Sequence, residues 1–130
     1  MTEFTVLGKT ATKGSTRSFI SRKTGRIVTM ADNRNLGSWT QAASWAALQA
    51  GAKVVPKPGA VGVSVCFHFL MPKSAKRRDV HTVKPDIDKL LRAVLDALTG
   101  ICYEDDSQVT NVTATKAYGP REQCRVVVTP

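Results

Sequence analysis

The amino-acid sequence predicts an α+β fold, a single domain in which two main helices pack on a mixed β-sheet. Three observations carry that prediction. Val61, Val63, Val65, Phe67 and Phe69 alternate with smaller or more polar residues, the period-2 signature of a strand with one buried face. Ile87, Leu90, Leu91, Val94, Leu95 and Leu98 fall at i, i+3, i+4, i+7, i+8 and i+11, the apolar stripe of an amphipathic helix. The alanine-rich run from Ser38 to Leu48, which stops at Gly51, reads as a second helix with Ser38 as its N-cap.

Taken in order, residues 3–8 form a first strand. Residues 17–30 form a hairpin around the turn Lys23-Thr24-Gly25-Arg26, where Gly25 supplies positive φ. This hairpin carries Lys13, Arg17, Arg22, Lys23 and Arg26, a basic set suited to a phosphate backbone. In the first helix Trp39, with Trp45 and Leu48 nearby on the same element, is expected in the core, although an indole can also stack on a base. Pro56 and Pro58 mark a loop before the strand of residues 60–70, on whose opposite face His68 is expected to be an ordinary surface histidine. Residues 72–85 have no periodicity, are bounded by prolines and contain Lys73, Lys76, Arg77, Arg78 and Lys84. A segment of this length in a compact domain is usually functional or disordered, and disorder in the absence of DNA is expected. The long helix ends at Gly100. Two strands close the chain, at about residues 109–118 and 123–129, separated by Tyr118-Gly119-Pro120.

The 130 residues suffice for one core without disulfides or structural metal, so residues 1–130 are read as one domain. A hydrophobic fraction of 42% and a charged fraction of 22% are ordinary for a globular protein, and no apolar run approaches the roughly 18 residues of a membrane span. The start of the chain, with Glu3 and no apolar stretch ending in a cleavage site, points to the cytoplasm. Cys66, Cys102 and Cys124 are odd in number, widely spaced and set among apolar residues, and are expected as buried free thiols. The composition does point outward in one respect. Nineteen Lys and Arg against ten Asp and Glu give a formal charge of +9, and nucleic acid is the commonest polyanion such a chain meets.

Asp86 and Asp88 flank the first residue of the apolar stripe, and Pro85 holds the incoming chain out of helical geometry. In an extended entry, residues two apart project to one side, so the two carboxylates can face one point. Hard oxygen donors at close range suit Mg²⁺, which keeps several waters and accepts few protein carboxylates. For Asp86 the bland alternative is helix capping. Asp105 and Asp106 follow after the helix has run out, a length that fits an antiparallel return, and either can complete the site or simply solvate a turn. Asp88, Arg92 and Asp96 share a polar stripe at i, i+4 and i+8, with Lys89 beside it. Arg92 is thus placed for a scissile phosphate, and Asp96 is read as its partner. Carboxylate-held metal and a nearby cation are the parts that phosphodiester hydrolysis needs. No Ser-His-Asp or Cys-His arrangement competes, and no phosphate-binding glycine loop marks a nucleotide cofactor site.

The run from Pro85 to Leu98 and the turn Glu104-Asp105-Asp106-Ser107-Gln108-Val109 resemble the RusA family of Holliday junction resolvases, known from phages and prophages. That family shows a D-x-D-N/K-L run opening a helix, then F/L-D-A-L, then D-D-x-Q-V, and all three blocks occur here in order. The resemblance is closest from about Cys66 onward. It implies Asp86, Asp88 and Asp106 as the metal-binding acids, with Asp105 as their neighbour. It also implies a homodimer that makes paired nicks in four-way DNA junctions with Mg²⁺, for which Mn²⁺ substitutes. Arg92 stands where the family often carries a catalytic lysine, and Lys89 is its rival for that role. Asp79 mimics the first acid in a shifted alignment, but Pro85-Asp86-Ile87-Asp88 fits the helix start better. Lys73, Lys76, Arg77, Arg78, Lys84, Arg22, Lys23 and Arg26 are the expected DNA contacts. Two other readings stand beside a junction resolvase: a nuclease acting mainly on forks or flaps, and a non-catalytic basic DNA-binding protein.

Overall fold

The fold was examined in a computed structural model, which describes residues 1–13, 16–20, 23, 25–31, 35–73 and 80–130. The elements run β1 (Thr2–Leu7), β2 (Thr16–Ile20), β3 (Ile27–Ala31), α1 (Leu36–Gln49), β4 (Val61–Phe69), α2 (Ile87–Leu98), β5 (Val109–Tyr118) and β6 (Gln123–Thr129), with a short 3-10 turn at Asp106–Gln108 before β5. Four strands make one sheet in the order β1-β6-β4-β5. β6 pairs antiparallel with both β1 and β4, whereas β5 lies parallel to β4. The sheet is therefore mixed, as the sequence predicts, because α2 carries the chain across between two parallel neighbours. β2 and β3 form a separate antiparallel hairpin, and Gly25 takes the positive φ of 68° that its turn requires.

The alternation in β4 is realised in full. Val61, Val63, Val65, Phe67 and Phe69 are all buried and meet Val126, Val128 and Cys124 of β6 in one core. On α2 the buried stripe is Leu90, Ala93, Val94, Ala97 and Leu98, while Leu91 and Leu95 are partly covered. Ile87, the expected first member of that stripe, is instead 38% exposed. It lies on the helix's first turn, ahead of the point where α1 and the sheet begin to cover α2.

α1 starts three residues earlier than expected, at Leu36, with Asn35 rather than Ser38 in the cap position. Trp39, Ala43 and Ala47 form its buried face. Trp39 is in the core, as expected, whereas Trp45 at 66% and Leu48 at 52% exposure lie on the outer side of the helix. Trp45 lies six residues from Trp39, which is well over one turn and a half, so it faces away. Ser44 Oγ donates to the Ala97 carbonyl at 3.3 Å, tying α1 to α2.

All three cysteines are free, and Cys102 and Cys124 are buried. Burial raises their thiols to about 11 and about 12, so both stay protonated and inert at neutral pH. Cys66 is only half-buried. His68 departs from the plain surface histidine expected. Its Nε2 lies 3.5 Å from Cys66 Sγ, and Gly119 packs so close that a Cβ there would fall 3.2 Å from the imidazole. Among the described residues no helix is long and apolar enough to cross a membrane.

Candidate active site

The acids stand at the two ends of α2. Asp86 occupies the N-cap position with extended backbone (φ −72°, ψ 140°), and its carbonyl accepts from the Leu90 amide at 3.1 Å. Its side chain makes no capping hydrogen bond. The carboxylate that a cap would have used is therefore left to solvent and to Lys89, whose Nζ lies 3.9 Å from Asp86 Oδ2. Asp88, in the first helical turn, is exposed as well. The segment leading into this pair is held by Lys116 of β5, whose Nζ donates to the carbonyls of Val83 (2.8 Å) and Pro85 (3.0 Å). Nothing local marks Lys116 in the sequence, since its partners lie 31 and 33 residues away.

The second acidic pair sits in a turn docked at the other end of the helix. Tyr103 is fully buried and its hydroxyl donates to the Leu95 carbonyl at 2.6 Å. Burial pushes the Tyr103 phenol far above its ordinary value, so it remains a donor. Gln108 fastens the turn. Its Oε1 accepts from the amides of Glu104 (2.9 Å) and Asp105 (3.0 Å), and its Nε2 donates to the carbonyls of Val55 (3.0 Å) and Gly59 (2.8 Å). Both ends of the amide are thereby used, which a buried glutamine requires. The loop around Pro56 is bound from the other side, with the Lys57 amide donating to Glu104 at 2.9 Å.

Within this turn the two aspartates are not equivalent. Asp105 accepts from the Ser107 amide at 3.2 Å, completes a capping box with Gln108 and pairs with Lys57 at 3.3 Å. The Ser107 amide, then a hydrogen bond with Asp106, then Lys57 hold its carboxyl below the usual 3.8. Asp106 begins the 3-10 turn, is exposed, and has no ion pair among the described residues. Construction of the turn thus uses Asp105 and spares Asp106, a physical distinction that the sequence left to resemblance.

Across the helix, Asp96 pairs with Lys13, whose amide also donates to the Lys89 carbonyl at 3.0 Å. This corrects the expected Arg92–Asp96 ladder: Arg92 has no ion pair among the described residues and stays exposed one turn beyond Asp88. Lys89 is occupied with Asp86, so of the two rival cations Arg92 is the less committed.

α2 is 12 residues and so roughly 18 Å long, and Asp106 does not join Asp86 and Asp88 in one cluster. Among the described residues no three His, Cys, Asp or Glu converge as a metal site. After α2 the chain enters β5, parallel to β4, and the second acidic turn precedes that strand at the helix's far end. The Asp86–Asp88 pair alone still suits Mg²⁺, which binds through one or two carboxylates and keeps its remaining waters for substrate oxygens.

Of the expected DNA contacts, Lys73, Lys84, Lys23 and Arg26 are exposed. Arg22, Lys76, Arg77 and Arg78 lie outside the described residues, as do residues 74–79 of the segment expected to be disordered.

A family description, Endodeoxyribonuclease RusA, matches residues 10–129. This chain belongs to the RusA family. It is accordingly an endodeoxyribonuclease, of a family of Holliday junction resolvases, and the reading of a non-catalytic DNA-binding protein falls away. The match extends well upstream of the acidic motifs, over the hairpin and α1, where sequence inspection alone finds only a thin likeness. The chain is also 29% identical to Uncharacterized protein YqaN of Bacillus subtilis (strain 168), over 97% of this chain and 94% of that protein.

Proposed function

We propose that this RusA-family endonuclease resolves four-way DNA junctions as a homodimer, cutting paired phosphodiesters with a divalent cation bound at Asp86 and Asp88. The observation that carries the reading is the state of that pair: two exposed carboxylates at a helix entry, neither used for capping, in a chain of net charge +9. Mg²⁺ is the natural ion for such hard donors, and Mn²⁺ substitutes. When bound, the ion acidifies an attacking water and offsets charge on the phosphate.

The chain's own residues supply the rest. Arg92, on the same helical stripe as Asp88, binds a non-bridging oxygen of the scissile phosphate. Lys89 offsets the charge of Asp86 before the ion arrives. Asp106 is the third acid of the family pattern, exposed and without an ion pair among the described residues, while Asp105 bears the structural role. Exposed Lys73, Lys84, Lys23 and Arg26 take the flanking backbone, contributing affinity that falls with salt. A two-fold dimer presents two such sites to a junction with its own approximate two-fold axis, and paired nicks follow. The setting is DNA recombination and repair or phage DNA processing.

The test is cleavage of a synthetic four-way junction by the purified protein, in Mg²⁺ against EDTA, with nicks mapped on all strands. Symmetric nicks on opposing strands that need the metal are expected. Equal cutting of forks, flaps or plain duplex would overturn junction selectivity, and undiminished cutting by Asp88→Asn would overturn the assignment of the acids.

A further inference from the structure

One step in sequence from Asp86, a cleft of about 180 Å³ opens between the C-terminal ends of β4 and β5 and the segment from Val80 to Pro85. Its walls include Leu70, Pro72, Val83 and Tyr118. Inside, His81 stacks on Phe69 with ring centroids 4.2 Å apart and planes 24° from parallel, and it meets Tyr118 at 5.1 Å and 54°. The three rings make a fixed aromatic surface, in which Phe69 and His81 are almost fully buried. Around it, Leu70 and Val83 expose 53% and 43% of their surface, apolar area that water gains nothing by covering. Lys9, Lys84 and Glu122 supply the charge among its lining residues.

We propose that this cleft receives one unstacked nucleobase of the DNA strand beside the phosphate being cut. The proposal rests on the assignment of Asp86 and Asp88 as the cutting site. Three features favour a base over other ligands. The volume is below the roughly 300 Å³ at which pockets for drug-sized molecules begin, and is that of a slot for a single heterocycle. Half-buried Tyr118, backed by the buried Phe69–His81 stack and flanked by Leu70 and Val83, offers a surface to the flat π-face of any base, as sequence-tolerant single-strand sites do. Glu122 disfavours a phosphate inside, whereas exposed Lys9 and Lys84 can hold the phosphates on either side of an inserted nucleotide.

The cleft is also mechanically coupled to the acids. Lys116 ties Val83 and Pro85 to β5, and the Gly119 amide donates to the Phe69 carbonyl at 2.9 Å, so the wall and the segment entering α2 are held to the same sheet. A base seated here sets which phosphodiester lies at Asp86 and Asp88. The crossover of a junction is where such a base is available at least cost, because unstacking is cheapest where pairing is already interrupted.

The experiment uses the full-length Asp88→Asn protein, which holds the junction uncut, with 2-aminopurine placed in turn at each nucleotide around the crossover. A several-fold rise in fluorescence at one position, abolished by adding Tyr118→Leu or Val83→Trp, is the expected result. Val83→Trp fills the cleft from a partly exposed position, and thermal melts confirm that both variants fold. In the cutting-competent protein, Tyr118→Leu should weaken junction binding about tenfold, within the range for loss of one base–aromatic stack, and spread the nicks over more positions. No rise at any position, or a rise that neither variant alters, overturns the base cleft. Junction cutting without a fluorescence rise sinks this inference alone, and a rise without cutting by the unmodified protein sinks the nuclease reading alone.

Discussion

The two ends of α2 hold aspartates of identical chemistry under opposite constraints. At the N-terminal end Asp86 sits where a cap belongs and makes no cap bond, and Asp88 beside it is exposed. At the C-terminal end a comparable acidic pair is built into a turn by Gln108, Tyr103 and Lys57. The difference teaches that an acidic dipeptide is not a unit: in Asp105-Asp106 the first residue folds the turn and the second is released from that duty. A carboxylate becomes available for chemistry when local structure does not need it.

The sharpest way to break this comparison is to neutralise the acids one at a time. Asp88→Asn should lower junction cleavage by more than ~100-fold, beyond the loss expected for residues that merely support a metal ligand, while gel-shift affinity for the junction is retained. Asp106→Asn should also cut the rate severely and leave the melting temperature unchanged, and a rate within a few-fold of the parent would remove Asp106 from the machinery. Next in size is Gln108→Leu. It strands the half-buried carbonyls of Val55 and Gly59 and should cost about 1–3 kcal/mol in urea unfolding. Tyr103→Phe removes one buried hydrogen bond at Leu95 and should cost about 1 kcal/mol, measured the same way.

The smallest effect is Asp105→Asn, which should lower stability slightly and spare most of the cleavage. Its pH dependence has a defined sign. The carboxyl is held below 3.8 in the folded protein, so its contribution is present above that value and is lost as pH falls through the lower folded one. The stability gap between parent and Asp105→Asn should therefore be full at neutral pH and close in strong acid. A gap that widens on acidification would contradict the capping role.

Legibility followed the range of the interactions. The β4 alternation and most of the α2 stripe could be read because burial repeats with the period of the element itself. On α1 only Trp39 was legible as core, because the alanine-rich helix gives little contrast between its faces. The position of Asp86 and Asp88 at the α2 entry was visible from local spacing. What holds the site in place was not: Gln108 meets carbonyls 49 and 53 residues away, and the Lys13–Asp96 pair spans 83. No local pattern encodes such partners. The parallel pairing of β5 with β4 was not legible for a related reason, since a gap length does not specify strand direction.

The strand order β1-β6-β4-β5 has a consequence in time. β6 is the final strand in sequence, yet it lies between the first strand and β4, and Phe4, Val63 and Val65 meet the core across Val126 and Val128. As the ribosome extends the chain, β1 has no sheet partner until β6 has been made, so the sheet closes only after the other strands exist. Folding of this domain is thus a late event dominated by contacts distant in sequence, slower than a helical protein of the same size and exposed meanwhile to the cell's chaperones.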